Sequence, residues 1–258
     1  MEKHKYALIG DLHSQLEPLL QALNYCLTRG LTPVILGDVF DSRCPHSDSY
    51  GVYTALRSAQ ETFPGMVILR SNHQDKLERY IKGTLKAPLP ELVRTLGDFE
   101  SAGVSLDSLL KWLESMPYGF CFRDHAGKEY RCAHAFFPSW VEVPEYENSV
   151  EIHELTRKAS QLAMYGPSYY GDNKGRVFWW KTHSKRDWVR VAGHYHVVFE
   201  GENSLVLDGG CGGTSRSWFC DNPPELCLYE VDERSLRRFI VSVNRPQGAV
   251  LTPSLVGA

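Results

Sequence analysis

Carboxylate, amide and imidazole side chains recur along this chain just after short apolar runs. Gly10-Asp11-Leu12-His13 follows Tyr6-Ala7-Leu8-Ile9, and Gly37-Asp38-Val39-Phe40-Asp41 follows Pro33-Val34-Ile35-Leu36. Ser71-Asn72-His73 follows Met66-Val67-Ile68-Leu69-Arg70, His134 closes the run from Glu129 to Ala133, and Gly193-His194-Tyr195-His196 follows Trp188 to Ala192. Oxygen and nitrogen ligands brought repeatedly from strand ends suit a two-metal hydrolytic centre. Two divalent ions about 3.5–4 Å apart can activate a hydroxide and neutralise a phosphoryl group. Asp11 and His13 are two residues apart, so in extended backbone both would face one ion. Asp38 has two oxygens with which to bridge, while Asn72, His134, His194 and His196 add neutral donors. Mixed oxygen and nitrogen ligation favours manganese, iron or zinc over calcium.

The elements that must carry these residues alternate between strand and helix. Leu16, Leu19, Leu20, Leu23 and Leu27 recur at helical spacing, and Gly30 marks a helix end. A second helix is expected around residues 50–60, with Pro64-Gly65 as a turn, and a third is expected to start near His73. Such alternation predicts a largely parallel or mixed sheet covered on both faces, with the active site in loops at the carboxyl ends of strands. Residues 83–117 read as helical, with Leu106, Leu109, Leu110 and Leu113 as a stripe. Residues 137–187 read as an irregular aromatic insert over the site, and Arg176, Lys181, Tyr169, Tyr170, Trp179 and Trp180 within it are candidates for substrate contact or simple packing. Strands are expected at 204–207, 225–231 and 236–243. The expected organisation is one domain over residues 1–245 followed by a loosely held tail, 246–258.

Composition narrows the function. A formal charge of −3 gives no electrostatic case for a nucleic-acid partner, since phosphate-backbone binding normally uses a basic face. The apolar runs are too short to span a bilayer, and Met1-Glu2-Lys3-His4-Lys5 lacks the apolar core of a secretory signal. The seven cysteines are scattered with no Cys-x-x-Cys pair, which suits a reduced, cytoplasmic setting. Cys211, Cys220 and Cys227 read as buried thiols, as against a disulfide or a zinc site. His4, His46, His125, His153 and His183 follow no strand in this way and read as surface or packing residues.

The ordered motifs resemble the calcineurin-like metallophosphoesterases, and most of all the phosphoprotein-phosphatase and diadenosine tetraphosphatase branch with its bacterial and phage members. That branch reads Gly-Asp-x-His, Gly-Asp-x-x-Asp-Arg, Gly-Asn-His-Glu, a strand ending in His, then Gly-His. Trp112-Leu113-Glu114-Ser115-Met116-Pro117 and Leu207-Asp208-Gly209-Gly210 resemble its intervening stretches, so the likeness covers roughly residues 6 to 240. It implies an α/β fold of four layers, α/β/β/α, and a metal-dependent phosphatase. Carried over by position, Asp11 and His13 would bind one metal, Asp38 would bridge, and Asn72, His134 and His194 would bind the second. His73 would be the general acid protonating the leaving oxygen and Asp41 the carboxylate that orients it, so the two should lie within hydrogen-bonding reach. The cofactors implied are two divalent ions, manganese first, with iron, zinc, nickel or magnesium as alternatives. A metal-bound hydroxide would attack phosphorus. The partner implied is a phosphorylated substrate, whether phosphoprotein, nucleotide or small phosphoester, with no membrane.

The chain departs from the pattern at three places. Ser42 stands where the branch has a phosphate-gripping arginine, with Arg43 one step later as a substitute. Ser71 and Gln74 replace the glycine and glutamate around Asn-His. His196 stands where that branch often has proline, whereas the wider family's Gly-His-x-His uses it as a ligand. Arg70, just before Asn72, reads as a structural ion pair. A phosphodiesterase, a dinucleoside polyphosphate hydrolase and a non-catalytic binding protein on the same fold are the alternatives.

Overall fold

The computed structural model describes residues 5–42, 47–87, 89–167, 179–181, 186–211 and 224–240. Two sheets are present among them. The first has strand order β11-β10-β1-β2-β3, built from β1 (Tyr6–Ile9), β2 (Thr32–Ile35), β3 (Val67–Ile68), β10 (Glu225–Glu230) and β11 (Ser235–Ile240). The second has order β6-β4-β5-β7-β9-β8, from β4 (Gly119–Arg123), β5 (Glu129–Cys132), β6 (Ser149–Ile152), β7 (Trp188–Ala192), β8 (Val198–Gly201) and β9 (Ser204–Leu207). Both are mixed. The pairs β1·β2 and β2·β3 are parallel, as are β5·β7 and β7·β9, and the remaining pairs are antiparallel.

Alternation along the strands explains how the sheets stack. Successive side chains of a strand face opposite ways. Ala7 and Ile9 of β1, Ile35 of β2 and Leu226 and Leu228 of β10 join one apolar cluster with helix residues such as Leu19, Leu23, Val52, Leu56 and Leu109. The intervening Tyr6, Leu8, Val34, Cys227 and Tyr229 join another, with Phe120, Phe122, Tyr130, Cys132, Val189, Val191, Leu205 and Leu207 of the second sheet. The two sheets therefore face each other across one apolar layer. Each large apolar side chain taken from water there contributes roughly 1.5–3 kcal/mol before conformational entropy is set against it. Helices α1 (Leu16–Arg29), α2 (Ser49–Thr62), α4 (Pro90–Ser101) and α5 (Leu106–Glu114) cover the outer face of the first sheet. Against the outer face of the second pack α6 (Arg157–Tyr165) and a short 3-10 turn at Trp179–Lys181.

Local signals set the helix ends. Gly30 closes α1 in a left-handed conformation, φ 64°, and the Asp48 carboxylate caps α2 by accepting from the Gly51 N–H at 2.7 Å. Ser71 does the same for α3 (Asn72–Ile81), accepting from Gln74 N, so the helix starts on the residues that carry the third motif.

Several expectations need correction. Alternation of strand and helix implied a sheet covered by helices on both faces, whereas two sheets are present and each turns one face to the other. The third strand shortens to Val67–Ile68, because only two residues of it pair with β2. Residues 137–187 are not merely an irregular cover: β6 extends the second sheet by pairing with β4, and α6 packs Ala159 and Ala163 inward. Trp179 and Trp180 are buried against Tyr195 and Val206, so they pack the segment onto the sheet and present no free ring for stacking. Leu106 and Leu27 are exposed at the ends of their stripes. The tail, 246–258, lies outside the described residues.

Candidate metal centre

Parallel strands of both sheets end at one place. From the first sheet, β1 leads to Asp11 and His13, β2 to Asp38 and Asp41, and β3 to Asn72 and His73. From the second, β5 leads to His134, β7 to His194 and His196, and β9 to Asp208. The loops are held together by main-chain bonds: Leu12 N and His13 N both donate to Asp38 O, at 3.1 and 2.7 Å, and Gly193 N donates to His134 O at 2.8 Å.

The backbone here is unusual. His13, Asp38, Asp41, His194 and His196 all have positive φ, between 42° and 70°. A left-handed conformation costs an L-residue roughly 1–2 kcal/mol, and such strain persists where surrounding structure over-determines it, often at functional sites. The left-handed turn at His13 also corrects the route by which it reaches the site: the turn after β1, and not strand alternation, sets its direction relative to Asp11. Two glycines make the room. At Gly37, φ 117°, an added Cβ would lie 2.7 Å from His134 Nδ1, and at Gly193 it would collide with Asp11 Oδ1.

Asp38 is the centre of the arrangement. Its Oδ1 lies 3.4 Å from His134 Nε2, and its Oδ2 lies 3.7 Å from His13 Nε2 and 3.9 Å from His73 Nε2. His134 Nδ1 stands 2.9 Å from the Leu36 carbonyl oxygen, and His13 Nδ1 stands 2.9 Å from the Asp41 carbonyl oxygen. A carbonyl only accepts, so both Nδ1 atoms carry hydrogen, which leaves each Nε2 as the ring atom that could donate a lone pair to an ion beside Asp38. Around His134 Nε2 also gather Asn72 Oδ1 at 2.9 Å and His194 Nδ1 at 3.1 Å. Two triplets have ligand atoms within 4.8 Å of one another: His13, Asp38 and His73, and Asp38, His134 and His194. Asp11 and His196 belong to neither.

Asp11 is nevertheless built into the site. It is buried, its Oδ2 accepts from His194 N at 3.0 Å, and its Oδ1 has no hydrogen-bond partner. A buried carboxylate oxygen without a donor, among imidazole rings, fits a cation far better than it fits the protein alone. Burial, with Asp208 and Asp38 as like charges, drives the Asp11 carboxyl well above its usual range. Asp38 moves the other way: burial opposes ionisation, but His134, His73 and His13 hold it well below. His194 is pushed down to about 3 by burial and by His134, and burial also lowers His13. Neutral imidazoles beside an ionised carboxylate are the protonation states a divalent ion requires.

The His73–Asp41 pair stands at the edge of this cluster. His73 Nδ1 lies 2.9 Å from Asp41 Oδ2, while Asp41 Oδ1 accepts from the Thr95 hydroxyl at 2.8 Å. Burial works against the His73 imidazolium, but Asp38 and Asp41 outweigh it and raise its pKa. His73 therefore keeps its proton higher in pH than a free imidazole.

Asp208 is the participant that residue spacing alone missed. Fully buried, it accepts from His196 N at 2.6 Å and Gly210 N at 2.9 Å, fixing the left-handed turn at His196. Its signal was visible as one more strand-end acid followed by glycine. Thr95, which reaches Asp41 from α4, carried none. Arg70 is buried in an ion pair with Glu78, and His125 and His153 pair with Asp232 and Glu151 on the surface. Arg43, Arg176, Tyr169, Tyr170, His4, His46, His183 and Cys220 lie outside the described residues. Cys26, Cys121, Cys132 and Cys227 are buried free thiols, and Cys211 is buried as well. No described helix is long and apolar enough to cross a membrane.

No family model matches the chain, and no curated protein does. Among solved structures, it is similar in fold to a hypothetical protein from Pyrococcus horikoshii OT3, with a TM-score of 0.56 at 11% identity over 93% of this chain and 89% of that one. At that identity the likeness speaks for the α/β fold.

Proposed function

We propose that this chain is a dinuclear metal-dependent phosphoric ester hydrolase, a phosphatase with a metallophosphoesterase-like α/β/β/α sandwich. The observation that carries the reading is Asp38, which has His134 Nε2 3.4 Å from one oxygen and His13 Nε2 3.7 Å from the other. One carboxylate between two nitrogen-donor groups is what bridging requires. His134, His194 and Asn72 would hold one ion with Asp38; His13 and Asp11 would hold the other, with His196 beside them, its backbone set by Asp208. Two divalent ions, manganese first, would supply an activated water and neutralise charge on the phosphoryl group.

The chain's own residues do the rest. His73 holds a proton on Nε2 while Nδ1–H donates to Asp41, so Nε2 is free to deliver that proton to a departing alkoxide. Asp41 fixes the ring's tautomer, and Thr95 holds Asp41 in turn, so the acid is oriented before substrate arrives. The strained turns at Asp38, His194 and His196 set the directions of the donors, which lowers the reorganisation needed on binding.

The test is metal analysis and hydrolysis on the same preparation. Manganese-reconstituted protein should hold about two equivalents of metal, as a two-ion centre requires, and hydrolyse p-nitrophenyl phosphate. Protein that retains no metal and turns over no phosphoester after reconstitution would leave only a binding role.

A further inference from the structure

Arg190 lies in the middle of β7 and is only 1% exposed. Its neighbours Val189 and Val191 face the apolar layer between the sheets, so alternation turns Arg190 to the outer face of the second sheet. There its guanidinium lies 3.9 Å from the centre of the Phe136 ring and 5.2 Å from those of Trp179 and Trp188. One donor, Nε, bonds to the Phe137 carbonyl oxygen at 2.9 Å. Nη2 is buried and has no hydrogen-bond acceptor.

A buried cation is normally paired with a carboxylate, because its loss of hydration is otherwise uncompensated. Arg190 has no such partner among the described residues. Burial, and then the like charge of Arg186, push its pKa down to about 9. Arg186 lies 5.2 Å from the centre of the Trp188 ring, and no described carboxylate pairs with it either. Arg131, opposite Arg190 in the β5·β7 register, brings a third guanidinium to 4.6 Å from the same ring. That charge is matched by Glu129 at 2.5 Å. Two positive charges around one indole are therefore unmatched by any described carboxylate.

We infer that Arg190 and Arg186 hold a small inorganic monoanion of the halide class, chloride above all, against the outer face of the second sheet. Nη2 supplies the hydrogen-bond donor, and the second guanidinium adds to the attraction. The walls select the class. Aromatic rings cannot replace the hydration shell of a doubly charged oxyanion, whereas a halide gives up its water more readily. The bond from Arg190 to Phe137 ties the exit of β5 to β7, so an anion here would brace the two strands that lead to His134 and His194. Nothing in the inference depends on the hydrolase reading.

The test uses the full-length chain with chelator throughout, so that no halide is counted at a metal ion. Sodium chloride is titrated against sodium gluconate at constant ionic strength, and unfolding is followed by calorimetry. The thermal midpoint should rise saturably, by about 5–10 °C at a hundredfold excess over Kd. Bromide should act like chloride, and sulfate far less. R190M should abolish the rise, and R186Q should weaken chloride binding by about two- to fivefold. Where R190M does not fold, broadening of the chloride NMR line by the parent, reduced in R186Q, reports the same site. Equal midpoints in chloride and gluconate, an equal effect of sulfate, or a full chloride response in R190M would each overturn the assignment. So would a chloride line that the parent does not broaden, or that R186Q broadens as much as the parent.

Discussion

His73 and Asp41 are joined by a 2.9 Å contact between Nδ1 and Oδ2, and the other oxygen of Asp41 is held by Thr95. The imidazole is thus oriented by a carboxylate that is itself fixed. Replacing His73 with Asn should lower turnover of an alkyl phosphate, whose leaving group needs a proton, by about 10²–10⁴-fold. An aryl phosphate with a good leaving group should suffer much less, and metal content should hold. Steady-state kinetics over a leaving-group series checks this. Equal losses across the series would remove the proton-donor role.

Thr95 gives a finer test. Thr95→Val keeps the shape of the side chain but leaves Asp41 Oδ1 without its donor. A buried acceptor left unpaired costs about 1–3 kcal/mol. The thermal midpoint should fall, and the basic limb of the pH–rate profile should move as Asp41 becomes a different partner for His73. A profile superimposable on the parent's would show that Thr95 serves packing alone.

Gly37→Ala should damage the centre without touching a ligand. Its φ of 117° disfavours an L-residue, and the new Cβ would stand 2.7 Å from His134 Nδ1, displacing the hydrogen bond to Leu36. Metal affinity should fall by about 10–100-fold, the usual consequence of disturbing a ligand's outer partner. Metal titration followed by thermal melting reports both the loss and any change in the fold.

The pH dependence of the metal-free protein follows from His194. Its folded pKa, about 3, is below the ordinary value of 6.5 because burial and His134 disfavour the charge. Protons therefore bind the unfolded chain more readily. This contribution is full above pH 6.5 and is lost as pH falls from there toward the folded value. His13 has the same sign, while Asp11, raised by burial, has the opposite one. Chelated protein should lose up to about 1.4 kcal/mol per pH unit from His194 below about pH 6.5. H194Q should flatten that slope, and an unchanged slope in denaturant melts would refute the assignment.

Metal removal should show in stability as well. Ligands that bind only the folded state stabilise it by about 2.7 kcal/mol at a hundredfold excess over Kd. Adding manganese to chelated protein should therefore raise the melting midpoint near neutral pH, and less so when His13 and His194 are protonated. His134→Ala should abolish the response at one site, since His134 Nε2 has Asn72, His194 and Asp38 around it. A full response in that variant would move the centre elsewhere.

The strand ends of the first eighty residues were legible because each apolar run is bounded by Gly-Asp or Ser-Asn and buried on both sides. Gly30 could be read as a helix end, and the expected helix start near His73 falls one residue from the observed one at Asn72. The second sheet was only partly legible. Phe120 and Phe122 of β4 are buried only because the first sheet lies over them, and β6 and β8 are edge strands with mixed exposure and little alternation. The candidate site residues could be found from their types and order, but the geometry that brings them together depends on left-handed turns at His13, Asp38, Asp41, His194 and His196, which spacing does not announce. Thr95 lies 54 positions from its partner Asp41, and such a bond leaves no trace in spacing.

Those five turns carry a consequence for how this protein can change. His13, Asp38, Asp41, His194 and His196 occupy backbone states that glycine adopts without penalty. Substitution to glycine at any of them would ease the main chain while deleting a donor. The steepest local gain in backbone comfort and the loss of chemistry thus coincide at the same codons. A lineage under no selection for these side chains should drift there first, and screens that reward thermal stability alone will select chains that have lost them.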